Sequence, residues 1–134
     1  MPERLKLLFV CRHNAIRSQV AEVLAHKISQ GKVQASSAGI DLSPIPTHIK
    51  NWANEINKDA AALSSTSISD VEDQPFDMII TLCDKSHTLL PELSGDTDHI
   101  RWNFSHPDNE ESLKHLEIEI AERLRLLFLT KGII

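Results

Sequence analysis

With 134 residues, 41% of them hydrophobic and 25% charged, the chain has the make-up of one ordinary globular domain that can bury a core without disulfide or metal staples. A net charge of −5, from 19 acidic and 14 basic residues with no basic run, argues against nucleic acid or an anionic membrane as partner. Two cysteines far apart, without Cys-x-x-Cys spacing, exclude a secreted disulfide framework, so a cytoplasmic protein without a bound metal is expected.

Leu5 to Val10 is apolar except for Lys6 and reads as a strand buried on both faces, the pattern of a parallel sheet. The run is too short, and too charged at Lys6 and Arg12, to be a signal peptide or a membrane span. From Ser18 to Gln30 the residues Val20, Ala21, Leu24 and Ile28 recur at helical spacing, with Gln19, Glu22, Lys27 and Gln30 on other faces and Gly31 as the stop. Val33 to Ser37 predicts a second strand, and the small residues Ser37-Ala38-Gly39 predict a close backbone approach, with the loop after the first strand as neighbour.

Asp41 to Pro46 is a turn region. A helix follows from Pro46 or Thr47 to about Asn57, carrying Ile49, Trp52, Ala53 and Ile56 on one face. Ala60-Ala61-Ala62-Leu63 and Ser64 to Ser69 show little periodicity, apart from Ser67 or Ser69 as a cap before Asp70. Phe76 to Cys83 predicts a further buried strand, and Asp84 toward Leu93 a short helix. A Ser94-Gly95-Asp96 turn, a strand over His99 to Trp102 and a loop over Asn103 to Pro107 complete the pattern before the last helix. That helix runs from about Glu110 to Lys131 with Leu113, Leu116, Ile120, Leu124 and Leu127 as its seam and Gly132 at its end. Strands alternating with helices give an α/β fold, a parallel sheet flanked by helices in one domain spanning 1–134, with ligands bound beyond the strand C-termini. Cys11, the Ser37–Gly39 turn, Cys83 and the loop holding His106 all lie at that end.

The chemistry concentrates in Val10-Cys11-Arg12-His13-Asn14-Ala15-Ile16-Arg17-Ser18, between the first strand and the first helix. Backbone N–H groups curling from a strand end into a helix N-terminus converge on one point, where the helix dipole also favours negative charge. A cysteine at such a point is favoured as the nucleophilic thiolate. Arg17 closes the site with a planar fork able to hold two oxygens of a tetrahedral anion. Arg12, His13, Asn14, Ala15, Ile16, Arg17 and Ser18 are therefore the predicted oxyanion-binding residues. His26, His48, His87 and His115 lack metal-ligand spacing, and Trp52 and Trp102 read as core or pocket wall.

The segment Val-Cys-x-x-Asn-x-x-Arg-Ser at 10 to 18 resembles the anion loop of the low-molecular-weight protein tyrosine phosphatases and of the arsenate reductases that share their fold. Ser18-Gln19-Val20-Ala21-Glu22, Ser37-Ala38-Gly39-Ile40, Thr81-Leu82-Cys83 and Trp102-x-Phe104 with Pro107 resemble segments of the reductase branch. The resemblance covers Leu5 to about Phe128 and implies a four-stranded parallel sheet. It implies Cys11 as nucleophile, Arg17 as oxyanion ligand, Asn14 as shaper of the loop, Ser18 as the hydroxyl bonded to the thiolate, Cys83 as second redox thiol and the 106 position as general acid. Some such reductases hold a potassium ion near the loop, and Asn14, Glu22, Ser37 and Asp70 stand at oxygen-donor positions; no metal is assigned here.

The chain departs from the family pattern in four places. His13 stands where many members have glycine, so backbone strain or an altered pocket rim is expected there. His106, not aspartate, precedes Pro107, with Asp108 nearby as the other candidate acid. Leu90 replaces the third cysteine of the thioredoxin-coupled relay, and no tyrosine is present. The leading expectation is thiol-dependent arsenate reduction by Cys11 and Cys83, with no tightly bound cofactor and an external reductant: thioredoxin, glutaredoxin or a low-molecular-weight thiol. The alternatives are hydrolysis of a phosphomonoester through a phosphocysteine, and a binding module that holds phosphate without turnover.

Overall fold

Leu5–Cys11 forms the central strand, β1, of a computed structural model that describes residues 5–56, 63–71, 73–89 and 97–134. It pairs in parallel with β2 (Val33–Gly39) on one side and with β3 (Met78–Thr81) on the other, and β3 pairs in parallel with β4 (Asp98–Arg101). The sheet has four strands in the order β2-β1-β3-β4, as the alternating pattern and the family resemblance imply. Leu7 and Phe9 point into the larger core, which α1 (Arg17–Ser29) and the final helix, α4 (Glu110–Thr130), cover. Leu8 and Val10 point to the opposite face, against Val71 and Phe76. Burial of both faces explains the nearly unbroken apolar run.

Between β2 and β3 lie α2 (Thr47–Ile56) and a 3-10 turn (Ile68–Asp70), and α3 (Asp84–Leu89) follows β3. Ile49 and Ala53 are the buried residues of α2, with Trp52 and Ile56 packed at their edge. Ser67 caps the 3-10 turn, accepting from the Ser69 N–H at 3.4 Å. On α4 the buried seam is Leu116, Ile120, Ala121, Leu124 and Phe128; Leu113 and Leu127 are only partly buried. Each fully buried side chain of this size contributes about 1.5–3 kcal/mol of burial free energy. No helix of the described residues is long and apolar enough to cross a membrane.

Several details differ from the sequence expectation: β2 runs on from Ser37 to Gly39, and β4 is Asp98–Arg101, one residue ahead of His99 to Trp102. β3 stops at Thr81, although Leu82 still donates its N–H to Val10 O at 2.9 Å. Gln30 itself takes the left-handed conformation that ends α1, with φ 55°, and Gly31 follows at φ 81°. Gln19, expected on the polar side of α1, is fully buried. The expectations for Asn57, Ala60 to Ala62, Leu90, the helix toward Leu93 and the Ser94-Gly95-Asp96 turn lie outside the described residues.

The strand order contains a switch point. After β1 the chain goes to β2 on one side, then returns to place β3 on the other, so the crossovers leave in opposite directions and open a crevice at the C-terminal ends of β1 and β3. Cys11 ends β1, and Cys83 lies two residues beyond the end of β3. Both cysteines therefore reach the mouth of one crevice.

Candidate active site

Residues 11–17 link β1 to α1 without a cis peptide bond. The Arg12 carbonyl accepts from the N–H groups of Ile40 and Asp41 at 2.9 and 2.8 Å, the His13 carbonyl from Ser43 N–H at 3.2 Å, and the Asn14 carbonyl from Gln19 Nε2 at 2.9 Å and Ser65 Oγ at 3.2 Å. In a trans peptide the C=O of one residue and the N–H of the next point in opposite directions. Carbonyls turned outward at 12, 13 and 14 thus turn the N–H groups of His13, Asn14 and Ala15 inward. Ile16 at the N-cap makes no side-chain capping bond, so the first amides of α1 also stay available to an anion.

Asn14 is the residue on which the loop turns. It has φ 50°, a conformation asparagine tolerates better than most residues, and it is fully buried. Its Oδ1 accepts from Thr66 N–H at 2.7 Å and its Nδ2 donates to Ser18 Oγ at 2.7 Å. β2 reaches this turn only because residue 39 is glycine: a Cβ there would lie 2.7 Å from Asn14 N. The predicted close approach of the Ser37-Ala38-Gly39 segment is this contact.

Cys11 Sγ, 2% exposed at the bottom of the loop, lies 3.0 Å from Ser18 Oγ. The thiol and Asn14 Nδ2 both donate to that oxygen, which holds the hydroxyl against the sulfur; when Cys11 is ionised, the hydroxyl proton is the donor to the thiolate. Arg17 donates from Nη1 to Phe104 O at 3.0 Å, which ties the guanidinium to the loop beyond β4. Ala15 and Ile16 are buried and contribute backbone, whereas the Arg12 side chain is exposed at the rim.

The backbone strain expected at His13 is absent, because the left-handed residue is its neighbour Asn14. His13 Nδ1 lies 2.7 Å from Asp41 O. A carbonyl only accepts, so Nδ1 carries a proton and Nε2 is the free position of the neutral ring.

Cys83 is a free, buried thiol immediately before α3. Ser86 Oγ donates to Cys83 O at 2.8 Å and sits 3.4 Å from Cys83 Sγ. Burial pushes this thiol up, but hydrogen bonds from Ser86, the charge of Arg17 and the backbone N–H of Arg12 outweigh it, and the net direction is below the ordinary cysteine value. The influence of Arg12 and Arg17 puts the second sulfur near the loop that holds the first. His106 also reaches this charge cluster: burial lowers its pKa first, Arg17 and His13 lower it further, and Asp108 opposes them. The side chains of His106 and Asp108 are exposed, and Asp108 additionally lines a cleft with Ile16, His48 and Glu110.

The oxygen donors at 14, 22, 37 and 70 do not form a ready cation cage. Asn14 Oδ1 is held by Thr66, and Asp70 is exposed. Burial pushes the Glu22 carboxyl up to about 7, with hydrogen bonds from Ser37 only partly opposing, so a large share of this group is protonated near neutral pH. Among the described residues no group of three or more His, Cys, Asp or Glu is placed to hold a metal ion.

Several supporting residues had no local signal in the sequence. Gln19 clamps the loop by donating to both Asn14 O and Ser64 O at 2.9 Å, and its own Oε1 is buried without a partner among the described residues. Thr66 and Ser65 come from a serine-rich stretch whose lack of periodicity concealed its task. The Cys83-x-x-Ser86 spacing, by contrast, is the kind of signal that marks a side chain folding back onto the start of a helix.

A cysteine and an arginine at the two ends of an amide-lined loop, at the switch point of a parallel sheet, mark an α/β protein whose loop has the make-up of an anion cradle. Residues 6–120 match the family described as low molecular weight phosphotyrosine protein phosphatase, and the chain belongs to that family. It is 30% identical over 125 residues to a glutaredoxin arsenate reductase of a Synechocystis strain, covering 91% of this chain and 95% of the relative. It is 27% identical over 127 residues to an arsenate reductase of Bacillus cereus, covering 93% and 95%. A solved structure described as an arsenate reductase in the phosphate binding state superposes with a TM-score of 0.81 at 26% identity, covering 94% of this chain and 98% of that one.

Proposed function

We propose that the protein is a thiol-dependent arsenate reductase in which Cys11 and Cys83 supply the two electrons. The observation that carries this reading is the position of Cys83: it is a buried free thiol just beyond the end of β3, the strand paired with β1, whose last residue is Cys11, and the Arg12 N–H and the Arg17 charge act on it. A hydrolytic phosphatase has no use for a second thiol so placed. The reductase names of the relatives support the same reading.

In the first step the Cys11 thiolate attacks arsenic in an arsenate bound by the loop amides and Arg17. An S–As bond forms, and one arsenate hydroxyl leaves as water after taking a proton from His106 or Asp108. The Cys83 thiolate then attacks Cys11 Sγ. The S–S bond forms, and the electron pair of the broken S–As bond stays on arsenic, which goes from As(V) to As(III) and leaves as arsenite. The lowered Cys83 pKa favours the attacking form. With leucine at position 90 instead of a third cysteine, the Cys11–Cys83 disulfide passes to no further thiol of this chain, and an external thiol reductant, a thioredoxin, a glutaredoxin or a small thiol, returns it to the dithiol.

The test is a parallel assay of arsenate reduction and aryl phosphate hydrolysis for the wild type, Cys11→Ser and Cys83→Ser, with mass analysis after arsenate treatment. A Cys11–Cys83 disulfide in the wild type, and loss of reduction in both variants, is expected. Aryl phosphate turnover that survives Cys83→Ser, without any arsenate reduction, would establish phosphomonoester hydrolysis instead.

A further inference from the structure

The outer face of α4 takes no part in the site and carries three large exposed apolar side chains, Ile118 at 57%, Leu126 at 65% and Leu129 at 60% exposure. The opposite face, with Leu116, Ile120, Leu124 and Phe128, is already spent on the core. Ile118, Glu122, Arg125 and Leu129 follow one another at steps of four, three and four residues, the spacing of a helix–helix seam, and all four are exposed. Leu126 flanks this stripe.

The stripe is complementary to itself in one direction only. In an antiparallel pair about a two-fold axis between residues 123 and 124, Ile118 of one copy faces Leu129 of the other, and Glu122 faces Arg125, each contact occurring twice. In a parallel pair, Glu122 would face Glu122 and Arg125 would face Arg125, two like-charge contacts. Apolar ends around a central pair of opposite charges are thus arranged for an isologous contact, not for a heterologous chain of copies.

We propose that the occupant of this face is a second copy of the chain, docked antiparallel along α4 through Ile118, Glu122, Arg125 and Leu129. The crevice holding Cys11 and Cys83 belongs to the opposite side of the α4 core seam, so the pairing leaves both cradles accessible. The surface is small, and the association is correspondingly weak and concentration-dependent.

Sedimentation equilibrium of the full chain, at protein concentrations up to on the order of 1 mM, tests the pairing. The wild type is expected to move from monomer to dimer, and Glu122→Arg, which sets arginine against arginine twice, to weaken association about tenfold or more. The double variant Glu122→Arg with Arg125→Glu re-creates the opposite-charge pairs with their ends exchanged, and is expected to return association to within about threefold of the wild type. Far-ultraviolet circular dichroism of each variant checks that these outward-facing changes leave the fold intact. A wild type that stays monomeric throughout, a Glu122→Arg variant that associates like the wild type, or a double variant that fails to recover each overturns the proposal.

Discussion

The loop between β1 and α1 and the loop between β4 and α4 meet across Arg17, yet they are held in opposite ways. The first is fixed along its whole length: Asn14 is bonded at its side chain and its carbonyl, Gly39 packs against it, and Cys11, Asn14, Ala15, Ile16 and Ser18 are buried. The second is fixed at its ends. Trp102 and Phe104 are buried, and Asn109 and Ser112 close a reciprocal capping box at the start of α4, with Ser112 N–H donating to Asn109 Oδ1 at 2.8 Å. Between these anchors Ser105, His106 and Asp108 are exposed. In the proposed reaction the anion cradle is thus held in place beforehand, whereas the groups proposed to deliver the proton sit on an exposed segment.

The largest effect that would break the contrast comes from the first loop. Cys11→Ser is expected to lower arsenate reduction by at least about a thousandfold, because no other thiol lies at the loop centre, while leaving phosphate binding measurable by calorimetry. Gly39→Ala is next. A Cβ placed 2.7 Å from a backbone nitrogen forces the Asn14 turn to move. A loss of about 1–3 kcal/mol in urea unfolding, together with a loss of oxyanion affinity, is expected; an unchanged midpoint and affinity would show that the turn is not held as described.

Changes in the second loop should act more gently and through pH. The lowered pKa of His106 means that its acid form is depleted as pH rises through a value below the usual histidine range. If His106 donates the proton, kcat/KM for arsenate falls over that window, and His106→Asn removes the limb at a cost of about 10- to 100-fold. Retention of the limb would rule out His106 as the donor. The smallest expected effect concerns stability. Glu22 is raised to about 7 in the folded chain, so its ionisation penalises the fold as pH rises from about 4.5 toward 7, after which the penalty is constant. Glu22→Gln is expected to flatten that segment of the stability profile and to gain roughly 1 kcal/mol at pH 8, a figure discounted for its partial exposure and read from urea midpoints at pH 5 and pH 8.

Local patterns expose β1, α1 and α4 because the spacing of apolar residues along each segment is set by neighbours two to four positions away. The same reasoning locates the oxyanion loop, since Cys11, Arg17 and Ser18 are close in the chain. It misplaces Gln19, whose helical phase says polar face, because its partner Ser64 arrives from a segment 45 residues away. Thr66 and Phe104 escape for the same cause: their contacts with Asn14 and Arg17 span 52 and 87 residues. The departure from the family pattern points to His13 for strain, but the turn falls on Asn14, whose side chain the neighbouring segments bind.

The order of elements, a cysteine-bearing loop between the first strand and the first helix, and a second cysteine after a buried strand are properties of the chain itself, legible from period, motif and spacing. Only the tertiary structure decides that β1 and β3 are neighbours at a switch point, so that Cys83 meets Arg12 and Arg17, and that histidine 106 enters their field. Local patterning encodes which faces are apolar. Which faces meet, and therefore which charges share a site, follows from packing all of them into one core.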